Sequence, residues 1–285
     1  MHRAWKQKRR ARLCGRALSY PRLVRTVTSA PIPSPLVLVV LFFTGCHGGI
    51  DQTLEVKIEQ SYNLPPGASL SVSNEDGSIR LYGAESRDVH VEALKRAYSE
   101  ERLDAIKVDA SEHAEMLAIT TFFPPKPKWS LRDRSGTVDY VITFPQDTTI
   151  SKLDLVNGEI SIDGLREGSA RAVVLNGRLS ARNCFGDLDY KVVNGAVDFY
   201  YNWWEDATYF VKAAIANGSI GAFLPRSASF RVEVETQAGS VTANFEQAEQ
   251  SRHDGPRKLV TKIGTGVGPT YHLEVTSGHI HIEGY

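Results

Sequence analysis

The chain has 285 residues, of which 42% are hydrophobic and 23% charged, and its 33 Lys and Arg balance its 33 Asp and Glu. That neutrality conceals an asymmetry: residues 1–45 hold nine of the basic residues and none of the acidic ones, so the chain from Cys46 onward carries 24 bases against 33 acids. An acidic body argues against nucleic acid as a partner and against direct attraction to anionic lipid, and three cysteines leave no disulfide framework.

The nine charges of the leader fall within residues 1–27; Pro31, Pro33 and Pro35 follow, and an apolar run from Leu36 to Phe43 ends at Thr44-Gly45-Cys46. A basic segment, a short apolar segment and small residues at a cleavage point make a secretory signal. The apolar run is far short of the roughly 20 residues of a membrane span. Phe43-Thr44-Gly45-Cys46 resembles a bacterial lipobox, with Phe43 where that pattern usually has Leu. The expectation is therefore a signal segment over 1–45, a lipidated Cys46 with a tether to residue 53, and a domain outside the cytoplasm, on the outer rather than the inner membrane. The leader is longer than a signal needs, which suits translation starting downstream near Val24 or Val27. Cys14 leaves with the signal, and Cys184 reads as a buried small apolar residue.

An N-terminal β region is expected over 54–150. Alternation runs through Leu54, Val56 and Ile58, then Leu70 and Val72, then Ile79 and Leu81, then Val89 and Val91, the two-residue period of a half-buried strand. Ser99 to Ile106 allows one or two helical turns. Three prolines between Pro124 and Pro127 make a loop leading to Trp129, and Val138 to Phe144 reads as a strand entering the next region.

Over 151–285 one phrase returns: Asn157-Gly158, Asn176-Gly177, Asn194-Gly195 and Asn217-Gly218, each followed by alternating apolar residues, with weaker copies at Ala238-Gly239 and Ser277-Gly278. The glycines are 19, 18, 23, 21 and 39 residues apart, the last gap reading as two periods with an insertion. Asn-Gly is a strong turn signal because both residues tolerate positive φ. A period near 20 with two strands and two corners signals a solenoid, whose units stack because none can bury its own apolar face. The predicted class is an all-β, single-stranded β-solenoid with Asn-Gly corners, in which the four asparagines lie one above another. Asn74-Glu75-Asp76-Gly77-Ser78-Ile79 is a stretched copy of the phrase, which starts the stack there.

The repeats, the stretch Val138-Asp139-Tyr140-Val141-Ile142-Thr143-Phe144-Pro145 and the lipoprotein-like leader together resemble the bacterial DUF4097 family, over about residues 68–285. The resemblance implies a cell-envelope β-solenoid and a candidate adhesin, and it brings no catalytic residues and no cofactor. The expected role is a structural or interaction module, attached to the membrane by lipid, whose partner is an envelope protein or a glycan. The alternative is a polysaccharide-binding or polysaccharide-cleaving protein on the same scaffold, with Asp187, Asp189 and Asp198 as the carboxylates to consider.

Four places could carry function. Tyr200, Tyr201, Trp203 and Trp204 fall in the longest regular period and read as a bulge whose aromatics, beside Glu205 and Asp206, could stack on sugar rings or anchor a partner; the plainer reading folds them over the core. Ser161, Ser180, Asp198, Gly221, Thr242 and His281 form an outward row of mostly small residues. His279 and His281 share one strand face, with His272 as the obvious third group, but a closed zinc site wants four ligands and a catalytic one three, so no metal is expected. Gly264-Thr265-Gly266-Val267-Gly268-Pro269 precedes a strand, so it is a turn and no phosphate loop.

Overall fold

The computed structural model describes residues 53–285 except residue 66, residue 114, residues 126–135 and residues 246–256. Cys46, the residues 1–45 expected as its signal segment, and Trp129 lie outside the described residues. The N-terminal elements are β1 (Leu54–Asn63), β2 (Ser69–Ala84), β3 (Asp88–Ala97), α1 (Glu100–Ala105), β4 (Lys107–His113), β5 (Met116–Phe122) and β6 (Thr137–Pro145). Then come β7 (Thr149–Asp163), β8 (Arg166–Arg182), β9 (Phe185–Tyr200), β10 (Phe210–Leu224), β11 (Phe230–Asn244), β12 (Arg257–Ile263) and β13 (Thr270–Gly284).

Strands β7 to β10 run parallel and in register, with Asn157, Asn176, Asn194 and Asn217 side by side and each glycine beside the next. Each strand is a whole rung with a corner in its middle. Buried residues alternate up to Leu155, Val174, Val192 and Ile215, then resume at Ile160, Leu179, Val197 and Ile220, five positions on. In a straight strand an odd step would face the opposite side. Both halves instead bury into one core, so the chain bends at Asn-Gly and the rungs stack as two walls, the first before the corner and the second after it. The predicted β-solenoid is the observed fold. At the corner the asparagines form a ladder: the side-chain amides of Asn217, Asn194 and Asn176 each donate to the side-chain oxygen of the asparagine one rung back, at 3.1, 2.9 and 3.0 Å. Asn157 donates in turn to the Asp76 carboxylate at 2.6 Å, which gives the ladder a charged end on β2.

The rung before β7 is β2, with Gly77 beside Gly158. There the walls part: the first continues into β5 and β4, and the second into β6, β3 and β1. Between these extensions sits α1, capped by the Ser99 hydroxyl, which accepts from the Arg102 amide at 3.2 Å. Lys95 enters from the inward side of β3 and is 1% exposed. Its ammonium donates to the carbonyls of Leu103 and Ile106, both at 2.9 Å, which satisfies orphan groups at the helix end and explains how a lysine can stand in a core position.

At the other end spatial order departs from chain order. The rung after β10 is β13, and β11 lies beyond it, so Gly278 stands between Gly218 and Gly239. The chain thus skips a place, forms β11, turns back through antiparallel β12, and returns to fill the gap. The 39-residue spacing is this detour.

Candidate functional site

The loop between β9 and β10 forms the far corner of its rung, and it divides the aromatic run that the sequence presents as one group. Tyr200 remains on the outer face of the second wall. Its ring stacks on Phe223 at 4.9 Å and 5°, and the Arg182 guanidinium lies 5.9 Å from it. Burial raises its phenol pKa, Asp198 adding to the effect while Arg178 and Arg182 oppose it. Tyr201 turns inward and is fully buried; its hydroxyl donates to the Cys184 carbonyl at 2.9 Å. Tyr201 therefore leaves the set of possible ligand contacts, because alternation through Tyr200 carries it to the same inward side as Phe199. Trp204 is partly buried and packs on Tyr201 at 5.7 Å and on Phe230 at 5.9 Å.

Trp203 alone of the four presents a large open surface, at 43% exposure. Its orientation is fixed all the same. The indole N–H donates to Glu205 Oε1 at 2.8 Å, and the same oxygen accepts from Arg166 Nη2 at 2.8 Å. The Arg166 guanidinium lies 5.9 Å from the rings of both Trp203 and Phe185, and those rings are 5.8 Å apart. Arg166 and Phe185 belong to the starts of two successive rungs, so the corner that holds Trp203 is built by the stack. Exposed Phe210 and the carboxylates of Glu167, Asp187 and Asp206 are also on this side of the rungs. Sequence reading found the tryptophan and its neighbour Glu205 and missed Arg166 and Phe185, which are separated from it along the chain.

The outward row exists, in the order Arg80, Ser161, Ser180, Asp198, Gly221, His281, Thr242. It is not an open face of small residues. A Cβ at Gly221 would come within 2.7 Å of Asp198 Oδ1 and 2.9 Å of the Phe223 ring, so Phe223 leans over the gap that the glycine leaves. Asp198 pairs with Arg178 at 3.2 Å; burial raises its pKa and Arg178 opposes this.

The candidate carboxylates do not converge. Asp187 and Asp189 lie on the first wall, where Asp187 accepts from the Phe210 amide at 2.8 Å and Asp189 pairs with Arg171 at 3.2 Å, whereas Asp198 lies on the second. The histidines are divided likewise. His279 bonds to Ser240 at 2.9 Å and His281 to Glu283 at 3.1 Å on the second wall, while His272 is on the first wall beside Glu233. His272 therefore cannot complete a site with them, and among the described residues no three His, Cys, Asp or Glu side chains are grouped to hold a metal ion. The Cys184 thiol is buried, which pushes its pKa up to about 12, so it is no nucleophile at neutral pH. Among the described residues no helix is long and apolar enough to cross a membrane.

No curated protein matches the chain. Among solved structures it is similar to a candidate cell adhesion protein from Clostridium sporogenes, at 15% identity over 80% of this chain and 99% of that one, with a TM-score of 0.46. A candidate adhesin from Bacteroides fragilis matches at 10% identity over 80% of this chain and 97% of that one, with a TM-score of 0.31. A candidate lipid binding protein from Parabacteroides distasonis matches at 10% identity over 82% and 98%, with a TM-score of 0.25. The Toastrack DUF4097 family model matches residues 38–283, and the chain belongs to that family.

Proposed function

We propose that this protein is a lipid-anchored interaction module of the cell envelope, a rigid solenoid tethered through Cys46 that binds a glycan at the Trp203 corner. The observation that carries the reading is the indole itself: a large aromatic surface left open to solvent and held in one orientation by Glu205, Arg166 and Phe185. Holding the ring in advance lowers the ordering cost of binding. An aromatic face receives the apolar side of a sugar ring while neighbouring carboxylates accept its hydroxyls. No catalytic step is assigned, since Asp187 and Asp189 lie on one wall and Asp198 on the other.

Retention on a panel of immobilised envelope polysaccharides tests the site. Trp203→Ala is expected to weaken retention about 30-fold, the scale of a central aromatic contact, while leaving Tm within about 2 °C, as surface substitutions do. Trp204→Ala is expected instead to lower Tm by several degrees, because that ring packs on the core. Unchanged retention by Trp203→Ala would remove the site, and retention only by an envelope protein would replace glycan with protein as the ligand. For the anchor, Cys46→Ala is expected to move the protein from the membrane fraction to the soluble fraction; a variant that stays with the membrane would refute lipid attachment at that residue.

A further inference from the structure

The two walls of the solenoid do not end level. Beyond β2 the second wall continues through β6, β3 and β1, and the first only through β5 and β4. At the far end the order is reversed. There β12 lengthens the first wall by pairing with Phe230–Thr236, while the second half of β11, from Ala238 to Asn244, has no further strand beside it among the described residues. Each end is thus a step one strand high, with the second wall in front at one end and the first wall in front at the other.

The two steps compensate. Among the described strands the first wall runs β4, β5, β2, β7, β8, β9, β10, β13, β11, β12, and the second runs β1, β3, β6, β2, β7, β8, β9, β10, β13, β11, ten in each. A second copy displaced along the axis by ten strand spacings, about 48 Å, would set its β1 into the notch beside β11 and its β4 beside β12, leaving no gap in either wall. Direction agrees with this. β1 is two antiparallel steps from β6 and so runs with the rungs, as β11 does. β4 and β12 both run against the rungs, and so run with each other.

Register can be followed from strand to strand. Ile58 of β1 stands at the level of Val241 of β11, and both side chains face the core. Asp109 of β4 stands at the level of Lys258 of β12 on the outer side of the first wall. An unpaired strand edge is a template for another strand, and a lysine on it normally keeps strangers away. Here the copy that fits the step brings a carboxylate directly opposite that lysine, which favours the pair.

We propose that copies of this chain stack head to tail, β1 of one copy on β11 of its neighbour and β4 on β12, into a linear assembly with a repeat of about 48 Å. The contact joins two different surfaces, so it does not close on two copies. The Trp203 corner recurs once per copy, which offers a polymer several contacts at once. The stacking rests on the strand edges and not on what that corner binds, and loss of glycan retention would leave it standing.

Sedimentation velocity of the purified chain across a concentration series reads the assembly, and negative-stain electron microscopy reads its form. The expected result is a series of species that continues past two copies, seen as unbranched rods with an axial period of about 48 Å. Lys258 is exposed, and Lys258→Glu, which sets like charges across the junction, is expected to weaken association about tenfold with Tm unchanged. Adding Asp109→Lys to it is expected to restore association. A monomer at every concentration up to about 1 mM, or assembly that stops at a two-fold dimer, would overturn the proposal. So would association that Lys258→Glu leaves unaltered, since the junction would then lie elsewhere. If the doubly substituted chain does not fold, the single substitution decides.

Discussion

Gly195→Ala is expected to cost about 4 kcal/mol or more, a loss large enough to leave little of the folded state in a domain of ordinary stability. Two effects combine. At φ +144 the glycine occupies backbone that residues with a side chain rarely adopt. The larger effect is contact: a Cβ at Gly195 would stand 1.7 Å from the carbonyl oxygen of Gly177 and 2.8 Å from its carbonyl carbon. Neither group can retreat, since rungs are held about 4.8 Å apart by their backbone hydrogen bonds. A shift at one corner would strain the rungs on either side, whose glycines meet the same crowding. The control is Gly67→Ala, where φ is +81 and nothing lies within 4 Å of the added carbon. There only the backbone penalty remains, about 1–2 kcal/mol. Urea denaturation of both variants gives the comparison, and equal midpoints would show that the corners are not close-packed.

The same crowding explains what could be read in advance. A corner that admits only glycine, preceded by an asparagine that bonds along the stack, marks the sequence at single positions, so Asn157 to Gly218 identify both the repeat and its geometry. The order of the last rungs leaves no such mark. Ser277-Gly278 and Ala238-Gly239 satisfy the same register, and parallel neighbours on either side accept either one; only the 39-residue gap between the two glycines hints at the detour. The aromatic run was legible as an unusual segment and not as a site. Tyr200 continues the outward phase of β9, Tyr201 returns to the core, and the partners that fix Trp203 come from earlier rungs and from Glu205. Lys95 was hidden for a different reason: alternation places it inward, where a lysine reads as a break in the pattern unless its carbonyl partners on α1 are known.

Alkali is expected to unfold the protein in one steep step between about pH 10 and pH 12. Burial is the first cause throughout: it pushes the Cys184 thiol from 9.0 to about 12 and the Tyr209 phenol from 10.0 to about 12, and it raises Tyr190, Tyr201 and Tyr271 well above 10.0. These groups are neutral when protonated. In the unfolded chain they release protons above 9.0 for the thiol and 10.0 for the phenols, while the folded chain still retains them. Stability is therefore full below about pH 9 and falls as pH rises through the window toward the folded values. By pH 12 the thiol alone accounts for about 4 kcal/mol and Tyr209 for about 3 kcal/mol, and three further phenols act in the same direction. Against a total stability of about 5–15 kcal/mol, that is enough to unfold the chain before any of these groups ionises in place. Phenolate absorbance and far-ultraviolet circular dichroism, followed together against pH, should change in the same step. Buried phenols that ionise near pH 10 with the β signal intact would mean that water reaches the core freely and that the rungs are not packed around these tyrosines.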